Sequence, residues 1–243
     1  MTWFFALLFL VAVLSGATAT VVGFGIGSLL TPLLATRLGM PVAVAAVAIP
    51  HALATGLRCW RLRREIDRDV LVRFGLVSAA GGLAGALLYT RLGVSALTSV
   101  LGGLLLLTAA AGITGWSKRW TPRGALVWVL GLGSGFFGGI AGNQGGLRAA
   151  ALTTFRLAPA VFVATATASG LMVDLARVPV YLWRAGDDLR ALATPIGVAS
   201  AGVLIGTVAG ERILLGLSPE RFRFAISVAI GLLGLWLLSG LGR

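Results

Sequence analysis

Acidic residues and the side chains of catalysis are scarce in this chain. Of its 243 residues only eight are Asp or Glu, one is Cys, one is His and two are Tyr. The lone Cys59 excludes an internal disulfide, and Cys59 with His51 cannot supply the four or so ligands of a structural or catalytic zinc site. No metal and no bound cofactor is expected. An enzyme needs a nucleophile with a base or a metal, and so little material makes an enzymatic role unexpected.

Charge of either sign is also thin. Asp, Glu, Lys and Arg make up 12% of the chain, against 58% hydrophobic residues, where a soluble domain carries roughly 25% charged residues. The mean hydropathy of +0.97 therefore points to an integral membrane protein with no soluble domain. The net charge of +12 does not mark a nucleic-acid binder. The basic residues gather between apolar runs, at Arg58, Arg61, Arg63, Arg64, Arg68 and Arg73, and at Lys118, Arg119 and Arg123. That is the pattern of cytoplasmic loops under the positive-inside rule.

Apolar segments run at 3–23, 42–60, 70–90, 94–116, 124–141, 159–183, 190–210 and 222–241. A helix crosses the bilayer with about 20 residues, so the expectation is an all-α, polytopic protein of about eight transmembrane helices. The first run continues past a cleavage-like Ala17-Thr18-Ala19 and has no Lys or Arg before it, which favours a retained helix over a signal peptide. Two shorter apolar pieces, 27–36 and 146–156, reach only halfway across and read as broken or re-entrant half-helices. Trp116, Trp120 and Trp183 lie near helix ends, where aromatic residues anchor at the interface.

The chain repeats itself. Gly23 and Gly142, Gly27 and Gly146, Arg37 and Arg156, and Arg58 and Arg177 all stand 119 positions apart. One transmembrane domain over 1–243, made of repeats at about 1–118 and 119–243, accounts for this, as two repeats of four helices with a half-helix each. With eight crossings both termini are cytoplasmic. If a half-helix crosses, the repeats are inverted instead.

Each repeat carries a glycine-rich break: Gly23, Gly25 and Gly27 in the first, and Gly142, Asn143, Gln144, Gly145 and Gly146 in the second. Glycine lets the backbone leave helical geometry, and the short helix that follows presents unpaired N–H groups and its positive dipole end, an anion-attracting arrangement. Tight helix packing is the alternative, and for Gly81/Gly85 and Gly206/Gly210 it suffices. Gly133-Ser134-Gly135-Phe136-Phe137-Gly138 matches a dinucleotide pattern by letter, but no strand precedes it.

Charge inside the bilayer marks function by default. Arg148 starts the second half-helix and either contacts an anion or bonds carbonyls freed by the break. Asp174 and Arg177, three apart, share a helix face. They form a self-contained pair, or Arg177 faces the anion while Asp174 orients it or exchanges a proton. Arg58 is the counterpart of Arg177, with Thr55 in the place of Asp174, and a topogenic role at the loop edge is favoured for it. His51 beside Pro50 either relays protons, making H+ the coupling ion, or bonds a carbonyl freed by the proline.

At the breaks the sequence resembles the sulfite exporter TauE/SafE family of membrane permeases. Gly23, Gly25, Gly27 and Pro32, then Pro41 and the run 43–48, match one copy of its motif. Gly142, Gly145 and Gly146, then Pro159 and the run 164–169, match the second. Ile26 and Gln144 replace glycines, Ala151 stands for the second proline, and Arg148 adds a charge. The resemblance implies export of sulfite, organosulfonates or related small anions, driven by an ion gradient. The expected protein is thus a secondary transporter of a small anion in the inner (cytoplasmic) membrane, multi-pass. Its site is formed by Gly23–Gly27, Gly142–Arg148 and Arg177, with Asp174, His51 and Arg58 in coupling or orienting roles. Its partners are the anion and the lipid bilayer, with homo-oligomerisation left open. An anion channel and a structural membrane subunit are the alternatives.

Overall fold

A computed structural model describes residues 2–23, 25–115, 122–142, 145–213 and 219–240. Trp116, Trp120, Asn143 and Gln144 lie outside the described residues. Among the described residues the protein is all-helical: α1 (Thr2–Val22), α2 (Ile26–Leu38), α3 (Met40–Arg61), α4 (Arg68–Val70), a π-turn Leu71–Gly75, α5 (Leu76–Tyr89), α6 (Val94–Thr114), α7 (Ala125–Ala141), α8 (Gly145–Leu152), a 3-10 turn Thr153–Phe155, α9 (Pro159–Ala191), α10 (Ala193–Ile213) and α11 (Pro219–Leu238). Among the described residues, seven spans are long and apolar enough to cross a membrane. Segment 124–141, expected to be an eighth crossing, forms α7 of 17 residues, just short of a full span.

Expected boundaries moved in three places. No extended loop separates 183 from 190: helical turns run on to Ala191, but as two helices joined at a kink where Ala185 leaves helical geometry at φ −129°, inside the expected break. Gly186, Asp187 and Asp188 follow the kink directly, and both aspartates are exposed. The second short piece, expected over 146–156, is an eight-residue α8 followed by the 3-10 turn. The first is longer than expected, 13 residues over Ile26–Leu38.

The breaks have a local cause. Gly25 caps α2 at φ 137°, a conformation closed to residues with a Cβ. Gly142 ends α7 in the left-handed region at φ 72°, its N–H returning to the carbonyl of Gly138, the usual glycine stop.

Small residues set the packing. In α5 and α7, which run parallel, a side chain on Gly81 or Gly85 would collide with the carbonyls of Leu132 and Phe136, and one on Gly135 or Gly139 with those of Ser78 and Gly82. The same close approach joins α1 and α10, where Gly206 meets the carbonyl of Val13 and Gly16 that of Val203. Where lipid supplies no hydrophobic drive between helices, such backbone contact holds them together. Two central pairs run antiparallel. His51 of α3 meets Asp174 of α9 while Asp67, past the end of α3, bonds Thr165 near the start of α9. In the other pair Gly112 of α6 meets Ser227 of α11 while Gly102 meets Leu238. The outward surface is apolar: Leu10, Val129, Leu175 and Leu232 are exposed, as a lipid-facing surface requires. Trp60 and Trp183 are exposed too, each under an arginine, Arg63 and Arg184, as expected at an interface.

Candidate functional site

The two breaks meet at the centre of the bundle, between α3 and α9. A small cavity of about 20 Å³ is lined by Gly23, Gly25, Gly27, Gly142 and Gly145 together with His51, Arg58 and Arg148. Beside it, a larger one of about 100 Å³ is bordered by Thr20, Gly23, Arg58, Gly145, Arg148 and Thr167. Its remaining wall includes Phe162 and Val163 from the first turn of α9, so it lies toward the side where α3 ends and α9 begins. Room for about one water needs 10–15 Å³, so the small cavity takes a single water-sized group and the larger one a small solute.

Four charged side chains are buried here among the described residues: Arg58, Arg148, Asp174 and Arg177. They divide into two kinds. Asp174 is fully buried and saturated. Its Oδ1 accepts from Arg177 Nε at 3.0 Å and lies 2.8 Å from Nη2, while its Oδ2 is 2.7 Å from His51 Nδ1. Arg177, 1% exposed, uses its remaining edge to donate to the carbonyl of Gly138 at 2.6 Å. Tyr181, one turn on, donates to the carbonyl of Gly139. Arg177 and Asp174 line neither cavity.

Arg58 makes the equivalent contact in the first half. It donates to the carbonyl of Ala19, and Ala19 precedes Gly138 by the same 119 positions that separate Arg58 from Arg177. Each arginine thus adds a second hydrogen bond to a carbonyl in the last turn of the helix entering its break, one that already accepts the N–H of Gly23 or Gly142. The difference is the acid. Thr55 stands where Asp174 would be, so Arg58 has no carboxylate beside it, and its Nε is buried without a hydrogen-bond partner.

Arg148 is 6% exposed and its Nη1 also lacks a partner. Its guanidinium lies flat against α9 at Gly170, where an added Cβ would sit 2.8 Å from Nη1 and 3.1 Å from Cζ. An unpaired buried donor costs about 1–3 kcal/mol, more when charged, so donors on Arg58 and Arg148 beside a cavity form a site short of an acceptor. The first turns of α2 and α8 adjoin the breaks, and a helix start leaves N–H donors without intrahelical acceptors.

Of the residues singled out from sequence, the glycines at 23, 25, 27, 142 and 145 come together with His51, Arg58 and Arg148. Gly146 sits in the first turn of α8. Thr20, Thr167 and Tyr181 carry no sequence signal beyond lying one turn from Gly23, on the run after Pro159, and one turn from Arg177.

The family described as sulfite exporter TauE/SafE matches residues 8–237. The chain therefore belongs to this family, and with its apolar helices it is a multi-pass membrane protein of permease type. No curated protein and no solved structure matches it significantly.

Proposed function

From membership of that family, we propose that this chain is a secondary transporter that carries a small oxyanion, of the size and charge of sulfite or a short sulfonate, across the cytoplasmic membrane. The observation that carries the reading is the pair Arg58 and Arg148, buried beside a cavity between two helix breaks, each with a donor that no described residue accepts. A guanidinium presents a planar fork suited to oxyanions, and helix N-termini favour the same ligand. Arg177, already bonded to Asp174 and Gly138, positions the second break rather than touching the anion.

The helix directions support inverted halves, a relation expected of transporters with broken helices at mid-membrane. The equivalent helices α3 and α9 run antiparallel, as do α6 and α11, and the parallel contacts of α1 with α10 and of α5 with α7 exchange under the same operation. Arg37, at the end of α2, lies 5.3 Å from the ring of Trp3 at the start of α1, so α2 returns across the slab. With the Arg-rich connections inside, α1 then starts outside, not in the cytoplasm as eight crossings would require. The larger cavity lies toward the end of α3, which joins an Arg-rich connection, and the start of α9, which is the cytoplasmic side on this reading.

A stabilisation screen of the purified protein with sulfite, thiosulfate and short organosulfonates tests the site. At least one anion is expected to raise the melting temperature of the wild type and not that of Arg148→Gln. Stabilisation by none, or equal stabilisation of the variant, rejects the reading.

A further inference from the structure

We infer that His51 takes up a proton, on Nε2, as the anion binds, so that proton and anion occupy the centre together. The inference rests on the anion site proposed above and adds the coupling group.

The geometry fixes which nitrogen is available. Asp174 is an acceptor only, and it sits 2.7 Å from His51 Nδ1, so Nδ1 carries the hydrogen of the neutral ring. Thr55 Oγ1, 3.3 Å away, is on the same nitrogen. Nε2 is left as the lone-pair nitrogen without a partner among the described residues, and the ring lines the small cavity with Arg58, Arg148 and both glycine breaks. An arriving proton therefore has one place to land. It comes from water, the new N–H bond forms at Nε2, and Nδ1 keeps its hydrogen bond to Asp174.

The charge balance says when this happens. Facing His51 are Asp174 and Arg177 from α9, Arg148 from α8 and Arg58 from α3 itself. The described parts of α1, α6 and α7 carry no ionisable group, α2 carries only Arg37 at its far end, and α10 only Glu211 and Arg212 at its last turn. Three guanidinium groups against one carboxylate leave an excess of two positive charges around a neutral imidazole. A third on His51 is opposed while the cavity is empty. An oxyanion between Arg58 and Arg148 removes the opposition and accepts a hydrogen bond from the protonated Nε2. Binding of each then favours the other by the same factor, as linkage requires. Asp174 and Arg177 act as positioning residues that hold the tautomer.

His51 is the only histidine in the chain, so nitrogen NMR of protein labelled with 15N-histidine and purified through a tag without histidine reports this ring alone. Thiosulfate and methanesulfonate, both fully ionised at neutral pH, are the probes. At pH 7 without anion, the spectrum should show a neutral ring protonated on Nδ1. With saturating anion it should move toward imidazolium, and anion affinity should rise between pH 8 and pH 6, by up to about tenfold per unit for one linked proton. His51→Gln should bind the anion with no pH dependence. An anion that binds the wild type while the ring stays neutral overturns the coupling and leaves the anion site standing, whereas failure of both probes to bind removes the site and the coupling with it. Should His51→Gln not fold, the wild-type spectra decide alone.

Discussion

Arg58 and Arg177 show how far one side chain's role follows from its neighbours. They occupy equivalent positions and tie equivalent carbonyls, but only Arg177 has an acid one turn before it. A buried pair broken from one side leaves an uncompensated charge and costs about 3–5 kcal/mol. Arg177→Gln should therefore lower the yield of folded protein and its melting temperature in detergent. Arg58→Gln should leave both near wild type, because Arg58 leaves no carboxylate stranded, and should weaken anion binding instead. Size-exclusion profiles and thermal melts of the two variants check this, and equal stability of both would contradict the division. For these residues depth in the membrane was legible from the chain's pattern, but direction was not. The partners that decide each role, Gly138 for Arg177 and Asp174 for His51, lie 39 and 123 positions away, and no helical periodicity reports such contacts.

Among elements, the breaks were legible because glycines with left-handed backbone leave a plain mark between apolar runs, and their 119-residue spacing repeats it. The lengths were less legible. The short helix α2 was expected over 27–36, yet it extends to Leu38, where Gly39 at φ 75° with Pro41 ends it. Whether α2 crosses decides the relation of the halves, and Arg37 stacking on Trp3 and Phe4 argues that it does. In a background of Cys59→Ala, a membrane-impermeant maleimide applied outside intact cells should label Trp3→Cys and Arg91→Cys and spare Arg64→Cys. Protection of Trp3→Cys together with Arg64→Cys would mean that α2 turns back and the halves are parallel.

At the scale of the whole molecule, the polytopic helical character was legible from composition alone, since a chain with 12% charged residues cannot cover a soluble surface. What composition could not convey is the exchange of helices between halves, with α1 on α10 and α7 on α5 through glycine contacts. That interleaving places both breaks on one cavity, and under the inverted-repeat reading proposed above the frame around it would rock to alternate access. A channel would share the cavity but not the ability to concentrate solute. The most direct measurement is uptake of 35S-sulfite into proteoliposomes under an imposed pH gradient, with wild type and Arg148→Gln side by side. The wild type should accumulate sulfite above the level that the pH gradient gives in protein-free liposomes, and Arg148→Gln, inserted to the same level, should lose at least about tenfold of the flux, the size of one charged hydrogen bond. Undiminished flux through Arg148→Gln would contradict an anion held by the unsatisfied donors of Arg58 and Arg148 at the centre of the bundle.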